Sequence, residues 1–171
     1  DHGFDALAMN FRGCSGEPNR KVAMYHSGWT RDLHEALVMV ASLGRYRNVH
    51  LVGFSLGGNV VLKYLGENPS MVPDNVRGAV AVSVPCDLED SALALARPQC
   101  LLYTRYLLDQ LRKKIIEKDR LFPGRLDVQG VEKLRTFRQF DDRFTAPLHG
   151  FKDALDYWRR SSSARFLPAI D

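Results

Sequence analysis

The fold of this chain is decided by residues 49–66, VHLVGFSLGGNVVLKYLG. An apolar β-type run at 49–52 leads into a G-x-S-x-G pentapeptide, and an amphipathic helical pattern follows it. A serine on so sharp a turn from strand to helix takes strained backbone angles and exposes its hydroxyl. The pattern therefore predicts that Ser55 is a nucleophile. It also predicts that the Leu56 N–H, at the positive end of the next helix, stabilises an oxyanion.

The two glycines of the pentapeptide have a steric role in this prediction. Gly53 and Gly57 stand two positions before and two after the serine, where side chains would clash across a tight turn. The alternative is a glycine-rich turn with an incidental serine, because the pentapeptide alone recurs by chance. The strand before it and the helix after it favour the nucleophilic interpretation.

The composition is that of an ordinary soluble globular protein. The chain has 171 residues, of which 45% are hydrophobic and 26% charged, and this length is enough for a sizeable core. The net charge is +4, and the densest basic run lies within Arg112–Lys118, where it alternates with apolar residues. That alternation predicts the solvated face of an amphipathic helix. No nucleic-acid partner is expected, and a peripheral contact with an anionic membrane stays open.

The cysteines and the apolar runs limit the compartment. Cys14, Cys86 and Cys100 are odd in number, far apart and without metal-ligand spacing, which predicts a reducing, cytoplasmic environment. No cofactor or metal is expected. The first residues lack the pattern of a signal peptide, and no apolar run approaches the roughly 20 residues that cross a bilayer. A membrane anchor outside these 171 residues stays open.

Strand and helix patterns alternate along the first half of the chain. Strands are predicted at 6–11, 49–54 and 78–84, the last a run of small and β-branched residues. Helices are predicted between Thr30, as the N-cap, and Gly44, and again over 56–66. This alternation predicts β-α-β units and a mostly parallel sheet.

The second half of the chain has helical periodicity. Residues 90–150 are predicted to form a helical cap over the carboxyl edge of the sheet, where α/β proteins bind ligands. The preceding residues 1–89 form the core with the serine turn, and 151–171 form a return helix and the approach to another strand. One apolar stripe is predicted to pack the cap, formed by Leu101, Leu102, Tyr106, Leu107 and Leu111.

Four stretches carry a family resemblance: NFRGCSGEPNR at 10–20, YHSG at 25–28, GFSLGGN at 53–59 and FDDRFTAPLHGF at 140–151. Together they resemble the YheT-like α/β-hydrolases, the abhydrolase-domain carboxylesterases. The resemblance spans essentially the whole chain. It implies an α/β-hydrolase fold, with a mostly parallel sheet, helices on both faces and a helical cap.

The resemblance also implies a serine–acid–histidine triad, of which only Ser55 maps onto this chain. The acid and the histidine are expected beyond Asp171, because the family's chain order is serine, acid, histidine. The second oxyanion donor of the family lies in the loop after its third strand, which is expected before Asp1. The chain is therefore expected to be an internal segment of a protein about twice as long, by the scale of the family fold. In the sheet of the family fold, the third strand, which is absent from this chain, is expected to lie between the strands at 6–11 and 49–54.

Residues within the chain offer a weaker alternative to that triad. His26 lies in a loop expected at the rim of the site, where it would have a substrate-side or hydrogen-bonding role. His149 follows Asp141 and Asp142 and is a candidate surrogate base. Capping and turn formation are the alternative roles for these aspartates, and Asp87 is a further, weaker candidate acid.

The resemblance implies hydrolysis of carboxylic esters, including acylglycerols or phospholipids, through an acyl-enzyme on Ser55. The partner would be a small-molecule or lipid ester. These 171 residues alone are expected to be catalytically poor, since their triad is incomplete. One alternative is a non-catalytic α/β-hydrolase-fold protein that binds a ligand. Another is a binder of anionic surfaces through the face of residues 112–118.

Overall fold

The computed structural model describes residues 3–170, so Asp1, His2 and Asp171 lie outside the description. Two strands and seven α-helices alternate with short 3-10 turns and one π-turn at Asp141–Thr145. In chain order these elements are α1 (Arg31–Ser42), β1 (Val49–Phe54), α2 (Leu56–Glu67), β2 (Val76–Val82), α3 (Leu88–Leu95), α4 (Leu101–Leu121), α5 (Phe137–Phe140), α6 (Ala146–His149) and α7 (Ala154–Ser161).

Strands β1 and β2 pair in parallel, with Phe54 beside Val82 at their carboxyl ends. The prediction of a strand at 49–54 is confirmed, and β2 begins and ends two residues earlier than the predicted 78–84. Parallel neighbours need a crossover connection, which α2 supplies here. This β-α-β unit is the scaffold that places the G-x-S-x-G turn at the carboxyl edge of the sheet.

The strand predicted at 6–11 is wrong, because these residues form no regular element. Residues 6–10 are exposed, and neither β1 nor β2 pairs with them. A strand exists only where a neighbouring chain accepts and donates its ladder hydrogen bonds. Without such a neighbour among residues 3–170, the mostly apolar run at 6–11 does not form a strand.

Helices α1 and α2 pack on β1 through one apolar cluster. Its buried members are Leu33, Leu37, Leu51, Val60, Val61 and Tyr64. Thr30 precedes α1 but does not cap it with its side chain, because its hydroxyl instead bonds Glu67 at the end of α2. Gly44, at φ +67°, ends the α1 segment as predicted.

No strand occurs between 90 and 150, but the predicted apolar stripe of α4 is wrong at three of its five positions, and Leu111 alone packs on the buried cluster described below. Leu101, Leu102 and Tyr106 are exposed, and the buried face of the helix consists of Thr104, Leu108, Ile115 and Lys118. That face packs with Met24, Val131, Phe140 and Phe144, residues distant in sequence. The side of the helix that is buried therefore depends on partners that local periodicity does not reveal. No helix within residues 3–170 is long and apolar enough to span a membrane.

The basic run of α4 is a solvated face only in part, which corrects the prediction for 112–118: Lys113 is exposed, but the other three cations have carbonyl partners. The Lys118 ammonium is buried and donates to the carbonyl oxygens of Asn19 at 2.5 Å and Lys21 at 2.8 Å. Lys114 donates to the Gly13 carbonyl oxygen, and Arg112 to that of Leu134. These three cations tie the 13–21 loop and Leu134 to α4, which does not favour an anionic-surface binder acting through this run.

The end of the chain also departs from its prediction. The return helix is present as α7, but Ala164–Ala169 is a 3-10 helix instead of the approach to a strand. A Cβ placed on Gly66 would lie 2.2 Å from the carbonyl oxygen of Phe166. This segment therefore turns against α2, where the glycine permits close backbone contact.

We expect Lys118→Met to lower the free energy of unfolding by about 1–3 kcal/mol, because it removes both hydrogen bonds of the buried ammonium and leaves the Asn19 carbonyl oxygen without its donor. Urea unfolding would measure the change. The matched control is Lys113→Met on the exposed side of the same helix, which should stay within about 0.5 kcal/mol of the parent chain. Equal unfolding midpoints for the two variants would contradict this role of Lys118.

Candidate active site at the strand-to-helix turn

Ser55 has the strained backbone that the sequence predicts, with φ +48° and ψ −119°. Its N–H donates to the Val82 carbonyl oxygen at 2.8 Å, and its carbonyl oxygen accepts from the N–H groups of Gly58 and Asn59. A non-glycine residue in such a region costs about 1–3 kcal/mol and persists only where its surroundings fix it. Here β2 holds the amide and α2 holds the carbonyl, while the side chain is exposed.

The glycines around Ser55 differ in their steric roles. A Cβ on Gly53 would lie 2.6 Å from the Gly57 carbonyl oxygen, so the close approach predicted there is present. A Cβ on Gly57 would meet nothing within 4 Å, which corrects the prediction for that position. Gly58 is the crowded one, since its Cβ would lie 2.4 Å from Cγ2 of Val84. Gly53 and Gly58 therefore make the turn possible.

Leu56 is the first residue of α2, a helix of 12 residues. The first N–H groups of a helix have no acceptor within it and form its positive end. The Leu56 N–H is therefore suited to stabilise negative charge beside Ser55. Its role as an oxyanion donor stays a prediction.

Asn59, one turn into α2, is a fully buried hub that sequence patterns do not single out. Its Nδ2 donates to the carbonyl oxygens of Ser27 at 2.8 Å and Ser161 at 2.9 Å. Its Oδ1 accepts from the Ser163 N–H at 2.9 Å. A single amide thus joins the serine helix to the 25–30 loop and to the end of α7. The one available signal is a polar residue within an apolar helix.

A second set of contacts fastens the 25–30 loop to α7. The Tyr157 hydroxyl donates to Oγ of Ser27 at 2.6 Å and accepts from the Ser27 N–H at 2.9 Å. Burial raises the pKa of Tyr157, which keeps the hydroxyl protonated. A Cβ on Gly28 would lie 2.6 Å from Oγ of Ser161, so only glycine fits this contact.

His26 and His149 lie together in an aromatic cluster, with ring centroids 4.6 Å apart. Trp29 contacts both rings edge-on, and Phe151 and Tyr157 contact that of His26. Burial lowers the pKa of His26 to about 3 and that of His149 to about 4. Both imidazoles are therefore neutral at pH 7, and the Nδ1 of His26 accepts from the Gly28 N–H at 3.1 Å.

Neither histidine is paired with the candidate nucleophile. Within residues 3–170, no hydrogen bond joins Oγ of Ser55 to the ring of His26 or His149. The structure instead places both rings against Trp29, and the His26 ring also against Tyr157 of α7. Their predicted roles, at the substrate side for His26 and as surrogate base for His149, stay predictions.

The candidate aspartates have structural partners. Asp141 is buried, accepts from Oγ1 of Thr145 at 2.6 Å and Nε1 of Trp158 at 2.8 Å, and burial raises its pKa to about 6. Asp142 accepts from the N–H of Ala154, the first residue of α7, at 2.7 Å.

The remaining candidate acid, Asp87, also has a structural role. It is the N-cap of α3 and accepts from the Asp90 N–H at 3.1 Å. Of the two aspartates for which capping and turn formation were the alternative, Asp142 binds the first N–H of α7, whereas Asp141 is held by buried side-chain donors.

The 10–20 segment reaches the histidine cluster through Arg12. Its Nε donates to the Asp32 carboxylate at 3.0 Å, and its guanidinium lies 4.6 Å above the Trp29 ring centroid. Nε1 of Trp29 donates to the same carboxylate at 2.9 Å. This trio anchors the loop to α1 and fixes the indole that packs against His149.

We expect Asn59→Ala to lower the free energy of unfolding by about 2–4 kcal/mol, because it leaves two carbonyl groups and one N–H without partners. Chemical unfolding followed by circular dichroism would measure this. Asn48→Ala, at an exposed position, is the control and should be near neutral. A loss no larger than that of the control would show that Asn59 is not a hub.

We expect acidification to destabilise the fold through His26. The unfolded chain binds a proton on this ring near pH 6.5, whereas the folded chain resists protonation down to about pH 3. The full free energy of unfolding is therefore present above pH 6.5, and the part that depends on a neutral His26 is lost as the pH falls below it. His26→Phe should lose about 2 kcal/mol less than the parent chain between pH 7 and pH 5.

The readout of that experiment is the difference between the two pH slopes in urea unfolding, so that the titration of Asp141 cancels. Replacing the exposed, non-titratable Asn48 by Gln is the control and should keep the parent slope. A His26→Phe slope equal to that of the parent would contradict the buried neutral imidazole.

Comparison with known proteins agrees with this geometry. Residues 1–171 match the family described as alpha/beta hydrolase fold. Similar proteins include "Putative esterase YheT" of Escherichia coli, 37% identical over 98% of this chain and 49% of the relative. "Monoacylglycerol lipase" of Saccharomyces cerevisiae is 30% identical, over 98% of this chain and 38% of the relative. "Phospholipase ABHD3" of Mus musculus is also 30% identical, over 98% and 41%.

No solved structure matches the chain significantly. The chain spans about half or less of the length of these relatives, between 38% and 49%. The family match covers every residue, and the parallel β-α-β unit with its strained serine turn is consistent with it. The chain belongs to the α/β-hydrolase fold family, in its YheT-like branch.

Proposed function

We propose that the full-length protein hydrolyses carboxylic esters through an acyl-enzyme on Ser55. The observation that carries this proposal is the backbone of Ser55, held at φ +48° with its hydroxyl exposed at the start of α2. Strain of this kind collects at functional sites. A serine so placed presents its oxygen above the sheet and has helix N–H groups directly behind it.

The chemistry would proceed in two halves. A base takes the proton of the serine hydroxyl while Oγ attacks the ester carbonyl. The tetrahedral oxyanion then accepts a hydrogen bond from the Leu56 N–H. Collapse of this intermediate expels the alcohol, to which the base returns the proton, and leaves the acyl group on Ser55. Water repeats the attack and releases the acid. One oxyanion donor is worth about 3–4 kcal/mol of barrier.

The class of substrate is supported by the names of the relatives. They are called an esterase, a monoacylglycerol lipase and a phospholipase, and the bond that these names share is a carboxylic ester. We therefore assign a lipid ester as substrate and a reducing, cytoplasmic location, which the three free cysteines support. A second candidate is a non-catalytic α/β-hydrolase-fold protein that binds a ligand.

We expect a fluorophosphonate to label the full-length protein once, on Ser55, as read by intact mass and peptide mapping. Ser55→Ala should abolish the label and lower kcat/KM for a monoacylglycerol at least about a thousandfold. Ser70→Ala, at an exposed position, is the control and should keep both. A folded protein that binds the lipid but takes no label would establish the non-catalytic alternative.

His149→Ala forms a second arm of the same experiment. We expect the label to persist, because the His149 ring contacts His26 and Trp29 and makes no hydrogen bond to Ser55. Loss of the label in a folded His149→Ala protein would instead identify His149 as the base.

A further inference from the structure

Two residues other than glycine have positive φ among residues 3–170, Ser55 at +48° and Ser83 at +52°. Each directly follows a strand, Ser55 after β1 and Ser83 after β2. Such angles occur in only a few per cent of non-glycine residues. Their occurrence at matching positions on adjacent strands marks Ser83 as a second unusual serine.

The register of the sheet places these two serines side by side. Phe54 pairs with Val82, and the Ser55 N–H donates to the Val82 carbonyl oxygen at 2.8 Å. Neighbouring strands lie about 4.8 Å apart, so Ser83 stands next to Ser55 at the carboxyl edge. Both residues are exposed. This edge of a parallel sheet is where α/β proteins bind ligands.

The turn at Ser83 explains its backbone but not its hydroxyl. The turn brings Val84 against Gly58 in the first turn of α2, at the close approach already described. A glycine would adopt the same φ without strain. Within residues 3–170 the Ser83 hydroxyl makes no hydrogen bond, so it is not used to form the turn.

We propose that Ser83 binds the substrate by a hydrogen bond from its hydroxyl to the alcohol portion of the ester. This rests on the proposed function of Ser55. The polar parts of such a substrate are the carbonyl oxygen and the alcohol, since the acyl chain is apolar. In the proposed function the carbonyl oxygen is bound by the N–H groups at the start of α2, which leaves the alcohol for another partner. A hydroxyl both donates and accepts, which suits the free hydroxyls of a glycerol group.

The test compares two esters of the same fatty acid on the full-length protein, a monoacylglycerol and a methyl ester that has no free hydroxyl. Ser83→Ala should raise KM for the monoacylglycerol more than it lowers kcat. The ratio of kcat/KM for the monoacylglycerol to that for the methyl ester should fall about three- to tenfold. Ser83→Gly should give the same fall, because it also lacks the hydroxyl although it relieves the strain. Ser70→Ala is the control.

An equal loss on both esters, or a ratio unchanged in both variants, would overturn the role of Ser83 while the proposed function stands. A glycine variant with the parent ratio would do the same, because only the backbone would then matter. Fluorophosphonate labelling of Ser55 separates the two levels, since a wild-type protein that takes no label overturns the proposed function and this inference together.

Discussion

The structure depends on the three hydrogen bonds of the buried Asn59 carboxamide. They join the first turn of α2 to the carbonyl oxygens of Ser27 and Ser161 and to the N–H of Ser163. These partners come from opposite ends of the chain, so the helix behind Ser55 is positioned by long-range contacts. A buried amide with every partner satisfied rigidifies its surroundings, because any other arrangement leaves polar groups without water or partner. The geometry of the serine turn is therefore a property of the whole described fold.

Local sequence patterns predicted the parts of the fold that local forces determine. The strand at 49–54, the helix after it and the parallel crossover all follow from side-chain periodicity and the serine pentapeptide. The segment at 6–11 and the buried face of α4 depend on distant partners, and there the prediction was wrong. Lys118 shows the reason. Its charge suggests exposure, but two carbonyl oxygens of the distant 13–21 loop take the place of water as its hydrogen-bond acceptors.

The candidate site divides in the same way. Ser55 was predictable because the need for space at Gly53 arises from its immediate neighbours. The role of Gly58 was not predictable, because the side chain that crowds it belongs to Val84, which follows β2. Ser83 gave no signal either, since a serine in a left-handed turn lacks the glycine that usually marks one. The neutral state of His26 follows from burial among rings that include those of the distant His149 and Tyr157, which no spacing in the sequence reveals.

In the proposed reaction, the charges of the described fold leave backbone N–H groups as the source of stabilisation for the oxyanion at Ser55. Arg12 is held by Asp32, Lys63 by Glu67, and Lys118 by main-chain carbonyl oxygens, so these cations are already compensated. The two clustered imidazoles are neutral and add no positive charge. Fixed backbone dipoles need no reorganisation when charge develops, and they act most strongly where water is scarce. A developing oxyanion would therefore be met by the N-terminus of α2, and Asn59 fixes its direction.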